Sequence, residues 1–222
     1  MKPPNGILLV DKAPGSTSFQ IVHQLRKLTG IETIGHAGTL DPFATGVMVM
    51  LLGREYTKKS DQFLTHDKQY RARLHLGIAT DTYDLDGQIT HRSDHIPPHI
   101  DLTPFQGTVS QIPPMYSAKK VGGKKLYDLA RKGITIERKP IQVHLKIELL
   151  SYAYPHIDLL IDCTKGTYIR TLAHDLGLSL GTYAHLIQLT RTRSGPFTLD
   201  ECIPQAQLTN LSFDPIPHLR CQ

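Results

Sequence analysis

The chain has 222 residues, 40 % of them hydrophobic, which is enough for a real core and too apolar for a mainly disordered protein. Lys and Arg number 25 against 20 Asp and Glu, leaving a formal charge of +5, a balance that suits an anionic partner without identifying one. The three cysteines, Cys163, Cys202 and Cys221, have no paired spacing, which excludes a disulfide framework and a Cys-based zinc site and fits a reducing cytoplasm. No apolar run approaches the roughly 18 residues of a membrane span, and Met1 to Val10 lacks the layout of a signal peptide, so the expected protein is soluble and intracellular.

In chain order, Gly6-Ile7-Leu8-Leu9-Val10 reads as a buried strand ended by the turn signal Asp11-Lys12-Ala13-Pro14-Gly15. Thr17 or Ser18 then caps a helix with Ile21, Val22, Leu25 and Leu28 on one face and Gly30 as its stop. A Gly-rich loop, Gly35-His36-Ala37-Gly38-Thr39-Leu40-Asp41-Pro42-Phe43-Ala44-Thr45-Gly46, leads into the apolar run Val47 to Leu52. Tyr70, Ala72, Leu74 and Leu76 alternate with polar residues, as do Ile141 to Leu149 and Ile157 to Cys163, the period of antiparallel strands with one buried face. The stretch Asp94 to Pro114 is rich in Pro and polar residues and reads as a surface excursion. Ile169, Leu172, Ala173 and Leu176 return to helical spacing, with Thr164 or Thr167 as cap and Gly177 near the end. Helices interrupt the strands irregularly, which predicts an α+β fold with a mixed or antiparallel sheet over a doubly wound parallel one.

Four constellations carry candidate chemistry. Asp41 precedes Pro42, which biases it toward an extended conformation, and Gly35, Gly38 and Gly46 let the surrounding backbone approach a ligand. Asp41 is therefore either a carboxylate held on a shaped loop or the N-cap of a helix with Pro42 at its first position. In Cys163-Thr164-Lys165-Gly166-Thr167-Tyr168-Ile169-Arg170 a Gly turn presents Lys165, Tyr168 and Arg170 together. Arg170 is either a cation that keeps a nearby carboxylate ionised or a surface arginine. Tyr70 is either core or a stacking platform for an extruded base. The basic tract from Lys119 to Lys139, with Lys124, Lys125, Tyr116 and Tyr127, tracks a phosphate backbone or forms a solvated helix face. No phosphate-binding loop, dinucleotide fingerprint or His-Glu-x-x-His motif is present, and the 12 histidines are scattered.

Taken in order, these segments resemble the TruB family of tRNA pseudouridine synthases, which make pseudouridine at position 55 in the T arm. The motifs are Asp11 to Ser18, Gly35 to Gly46, Lys68 and Tyr70 followed by Gly77 to Gly87, Gln111-Ile112-Pro113-Pro114-Met115-Tyr116-Ser117-Ala118 with Gly123 to Tyr127, and Cys163 to Arg170. The resemblance runs from about Pro4 to about Asp200, five motifs in order being very improbable by chance. It implies the pseudouridine synthase α+β fold, with a bent mixed, mainly antiparallel sheet, a catalytic domain over 1–200, a candidate surface insert at about 94–140 and a short tail at 201–222. It implies Asp41 as nucleophile, Tyr70 as the ring that stacks on the target base and Arg170 as the arginine paired with the catalytic Asp. His36, Tyr168 and Leu189 are implied contacts of the flipped nucleotide or its loop, and Lys12, Lys165, Lys124 and Lys125 further RNA contacts. It implies no cofactor, no metal and no obligatory protein partner, with tRNA as substrate.

Four departures stand out. Ala13 and Thr164 replace the family's usual Pro and Ser, both small changes. Leu189-Thr190-Arg191 replaces Leu-Arg-Arg, removing one expected phosphate contact. After Asp200 there are only about 20 residues, too few for a PUA-type RNA-binding domain, so RNA affinity is expected to rest on the catalytic domain. Two rival readings share these motifs: a tRNA-folding chaperone acting by binding, and an RNA-guided synthase of the dyskerin type.

Overall fold

A computed structural model describes residues 4–117 and 119–221, with the backbone alone at Lys120 and Lys125. The chain forms two compact units, one from Met1–Tyr70 and Leu189–Gln222, the other from Arg71–Gln188. The first unit begins with β1 (Gly6–Lys12), α1 (Ser18–Thr29), β2 (Ile34–His36), β3 (Thr45–Leu52), α2 (Arg54–Thr57) and α3 (Ser60–Leu64). The chain leaves it along β4 (Lys68–Leu76) and continues through β5 (Ile78–Thr80), β6 (Ile89–Arg92), β7 (Gly107–Gln111), β8 (Lys120–Val121), β9 (Lys124–Lys125), α4 (Leu126–Ala130), β10 (Ile141–Ala153), β11 (His156–Cys163) and α5 (Ile169–Ser179). It returns along β12 (Ala184–Ser194), followed by β13 (Phe197–Thr198) and β14 (Ile203–Pro204). This is the expected α+β class, with mainly antiparallel pairing.

In the first unit the strand order is β14, β1, β3, β12. Strands β1 and β3 pair antiparallel from Gly6↔Leu52 to Lys12↔Gly46, and β12 joins β3 in parallel at Thr190↔Thr45 and Arg191↔Gly46. Both central strands are buried on both faces, which is why they read as continuous apolar runs rather than alternating ones. One face packs Ile7, Leu9, Val47, Val49 and Leu51 against Tyr56, Phe63 and Phe197. Helix α1 is capped by Thr17, whose hydroxyl accepts from Gln20 N while Gln20 Oε1 accepts from Thr17 N, and it closes at Gly30. It buries Ile21, Val22 and Leu25, each contributing about 1.5–3 kcal/mol. The segment expected as a short tail is woven into this unit: β14 lies parallel to β1, and Ile7 and Arg220 exchange backbone hydrogen bonds at 2.9 Å each.

In the second unit the order is β4, β11, β10, β7. Strands β10 and β11 form a long antiparallel hairpin from Leu145↔Cys163 to Ala153↔His156, and β11 alternates buried and half-buried residues as its sequence predicts. The span expected as a surface insert contributes a sheet strand, since β7 pairs with β10 from Ile141↔Gln111 to Leu145↔Gly107. Five mostly polar residues on a sheet edge give no apolar period to read. Nor is the basic tract one helix face: it opens as a two-residue hairpin, β8 and β9 around Gly122-Gly123, before the short α4.

Helix α5 departs from expectation at its N-terminus. Its N-cap is Tyr168, without a side-chain cap, because the Thr167 hydroxyl donates to Thr164 O at 2.9 Å and the Thr164 hydroxyl accepts from His144 N. It ends at Ser179, with Gly177 near the end as expected. Gly177 also makes a close contact: a Cβ on it would lie 2.3 Å from Ala184 N. Gly177→Ala should therefore lower stability by about 1–3 kcal/mol through overpacking, measured as a shift of the urea unfolding midpoint at unchanged slope.

Candidate active site

The loop bearing Asp41 is held from below by two buried cations. Lys12, at the end of β1 and fully buried, donates its ammonium protons to Ala44 O at 2.6 Å, Pro42 O at 2.9 Å and Ala13 O at 3.0 Å. The expectation that Lys12 contacts RNA is corrected by this geometry, because all three donors are spent on loop carbonyls. Arg191, 1 % exposed, donates from Nε to Val47 O at 2.7 Å and from Nη2 to Gly38 O at 3.2 Å. Its own backbone presses on Gly46, where φ is +101° and a Cβ would sit 2.3 Å from Arg191 O, so that position admits only glycine.

Between these supports Asp41 does not cap a helix. Residues Asp41 to Ala44 form a turn closed by Ala44 N donating to Asp41 O at 3.1 Å, and Gly15 N donates to Pro42 O at 2.9 Å. Leu40 N donates to the buried Ser18 hydroxyl at 3.2 Å. The Thr45 and Thr190 hydroxyls meet at 2.8 Å, the position at which the departure from Leu-Arg-Arg falls. Asp41 itself is half-buried, a carboxylate on a backbone whose carbonyls and amides are fastened on either side of it.

Burial sets the electrostatics. Lys12 is pushed down to about 8, first by desolvation and then by Arg191, while Asp41 works in the opposite direction. Burial, and secondly Arg191, also lowers His36, whose Nδ1 is buried without a hydrogen-bond partner. Leu189 is buried with its carbonyl accepting from the Thr45 hydroxyl at 3.4 Å, and Tyr70 is buried at the start of β4. Asp41, His36, Leu189 and Tyr70 therefore all belong to the first unit.

The remaining candidates belong to the second unit. Arg170 is buried, which removes the surface-arginine reading. Its guanidinium faces the Asp84 carboxylate at 3.4 Å and donates to Tyr116 O at 2.6 Å and Thr82 O at 3.1 Å. Asp84, also buried, accepts from the Thr82 hydroxyl and from Asp86 N at 3.1 Å. Tyr168 is half-buried at the N-cap of α5, and Lys165 and Lys124 are exposed. The Lys125 side chain lies outside the described residues. Sequence reasoning missed the roles of Arg191 and Asp84. Both sat in quoted motifs, but nothing local marks a charged residue as buried. Among the described residues no group of His, Cys, Asp and Glu is placed to hold a metal ion, and no helix is long and apolar enough to cross a membrane.

With this fold and a carboxylate on a buttressed loop, the comparisons point one way. The solved structures it resembles include a chain of a Cbf5–Nop10–Gar1 complex, with a TM-score of 0.71 and 30 % identity over 91 % of this chain and 53 % of that one. A second is an archaeal box H/ACA Nop10–Cbf5 complex, at 0.66 and 27 % over 93 % and 53 %. The chain thus spans about half the length of those solved chains. The fold is that of the pseudouridine synthases. A family model for the TruB family pseudouridylate synthase N-terminal domain matches residues 26–169, and one for the tRNA pseudouridylate synthase B C-terminal domain matches 170–214. Relatives named tRNA pseudouridine synthase B include that of Protochlamydia amoebophila, 55 % identical over 93 % of this chain and 81 % of its own, and that of Chlamydia muridarum, 52 % identical over 99 % and 92 %. The chain belongs to the TruB family of pseudouridylate synthases.

Lys12→Met should cost about 2–4 kcal/mol of stability, since loop carbonyls are left without donors. The linkage has a definite sign. With Lys12 near 8 in the folded protein against 10.5 for an unperturbed lysine, the unfolded chain holds more protons between those values, so stability should rise with pH through that window. The variant should lack this slope in urea titrations between pH 7 and 10.

Proposed function

We propose that this chain isomerises uridine to pseudouridine in tRNA, at position 55 of the T arm, with Asp41 as the nucleophile. The observation that carries the reading is the loop of Asp41, a carboxylate on a turn fastened by Lys12, Ser18 and Arg191, within a chain of the TruB family. Such a support keeps a reacting group in place without reorganisation at the moment of attack.

In this reading the T loop docks on the exposed basic tract around Lys124 and on Lys165, with phosphate contacts supplying affinity. The target uridine leaves its stack at a cost of a few kcal/mol, and Tyr70 stacks on it. Asp41 attacks, the N1–C1′ glycosidic bond breaks, the uracil turns while held, and C5 bonds to C1′ as the bond to the Asp41 carboxylate breaks and the carboxylate is released. The C5 proton is lost and N1 gains one, so atoms and electrons balance within one nucleotide and the isomerisation calls for no ATP or redox equivalent. His36, Tyr168 and Leu189 contact the displaced nucleotide or the loop it leaves, and Arg170 belongs to the same proposed catalytic set. A cytoplasmic location belongs to the same proposal.

The test is incubation of the purified protein with an unmodified tRNA transcript, without guide RNA or partner, and mapping of pseudouridine by carbodiimide primer extension. The wild type should modify position 55, and Asp41→Asn should lose activity by at least a thousandfold while binding tRNA within a few-fold. Modification surviving in Asp41→Asn would remove the nucleophile assignment. Tight tRNA binding with no modification by the wild type would replace the enzyme with a binding protein.

A further inference from the structure

Each end of the edge strand β7 carries a glutamine whose side-chain amide acts as one rung of a sheet. Just before the strand, Gln106 Nε2 donates to Ile147 O at 2.7 Å while Ile147 N donates to Gln106 Oε1 at 3.0 Å. At the other end Gln111 does the same to Tyr168. The Tyr168 N–H donates to Gln111 Oε1 at 3.1 Å, and Gln111 Nε2 donates to Tyr168 O at 3.3 Å. Gln111 is 2 % exposed, so no water substitutes for either bond.

The two sites differ in what they hold. Ile147 lies within the regular ladder of β10, where neighbouring rungs already fix the backbone. Tyr168 is the N-cap of α5, in an extended conformation and without a side-chain cap of its own. The segment after β7 continues the support: Ile112 O accepts from the Thr171 hydroxyl at 3.4 Å and Tyr116 O accepts from Arg170 Nη2 at 2.6 Å. The first turn of α5 is thus laid against one continuous stretch of chain, and Gln111 grips it by both polar backbone groups of Tyr168. Fixing those two groups fixes the direction in which the Tyr168 side chain leaves the backbone.

We infer that Gln111 is a positioning residue for the reaction, acting through Tyr168, an inference that rests on the reading in which the Tyr168 ring contacts the displaced nucleotide. It forms no part of the chemistry. Its carboxamide holds the Tyr168 backbone in one conformation, and a shift of about 1 Å at such a contact costs on the order of a hundredfold in rate.

The test compares Gln111→Met, Gln111→Glu and Gln106→Met by single-turnover kinetics on tRNA transcript, tRNA binding and amide hydrogen exchange. Gln111→Met should speed exchange at the Tyr168 N–H at least tenfold and lower the rate constant at saturating tRNA at least tenfold, with tRNA binding within threefold. Gln106→Met, which loses the same kind of rung elsewhere, should keep the wild-type rate constant. Gln111→Glu supplies a readout that a loss of stability does not. Protonated, its acid donates to Tyr168 O and accepts from Tyr168 N as the amide does; ionised, it sets a carboxylate against a carbonyl. Its rate relative to wild type should therefore fall as pH rises from 6 to 8.5, while both proteins remain folded by circular dichroism. Faster exchange with an unchanged rate constant, or unchanged exchange, would each overturn the inference. If the wild type makes no pseudouridine the functional reading falls first, and the clamp on Tyr168 is then judged by exchange alone.

Discussion

The neutralisation of loop carbonyls by the buried ammonium of Lys12 and guanidinium of Arg191 is the constraint on which the first unit's site depends. A buried charge is expensive unless its protons are taken up, and here the acceptors are backbone carbonyls of Ala13, Gly38, Pro42, Ala44 and Val47. The same bonds that make the charges tolerable thereby fix the turn of Asp41. Gly46 follows from this arrangement, because the parallel pairing of β12 with β3 brings the Arg191 backbone too close for any Cβ.

The second unit solves a similar problem with different parts. The partners of Arg170 include the Asp84 carboxylate and the Tyr116 and Thr82 carbonyls, and those of Asp84 include a hydroxyl and an amide besides the guanidinium. Gln111 satisfies the backbone groups of Tyr168 at the helix start with a neutral amide, and Gln106 adds a rung of the same kind at Ile147 in β10. In both units polar side chains satisfy backbone groups where the chain is irregular, as at the turn of Asp41 and at Tyr168 before α5.

The elements with a clear period were legible before any coordinates. The apolar runs of β1 and β3, the alternation of β4, β10 and β11, and the face of α1 with its Thr17 and Gly30 boundaries all appear where the residues predict them. What was not legible has a common cause. Strand β7 is too short and polar to carry a period, the close contact of Gly177 with Ala184 lies beyond the turn, and Asp-Pro at 41–42 has the same local chemistry whether it opens a helix or a turn. Nothing local marks Lys12, implied by the resemblance as an RNA contact, as a buried lysine.

The amino-acid sequence by itself determined the α+β class, the family and the position of Asp41 in its motif, since these rest on local periodicity and on ordered motifs that need no distances. Only the tertiary structure decided which charges are buried and what they hold: that Lys12 and Arg191 face carbonyls rather than solvent, that Asp84 partners Arg170, and that Gln111 grips Tyr168. Those facts depend on residues 30 to 153 positions apart meeting within hydrogen-bond distance, and a contact of that kind is a property of the packed chain, which no local pattern encodes.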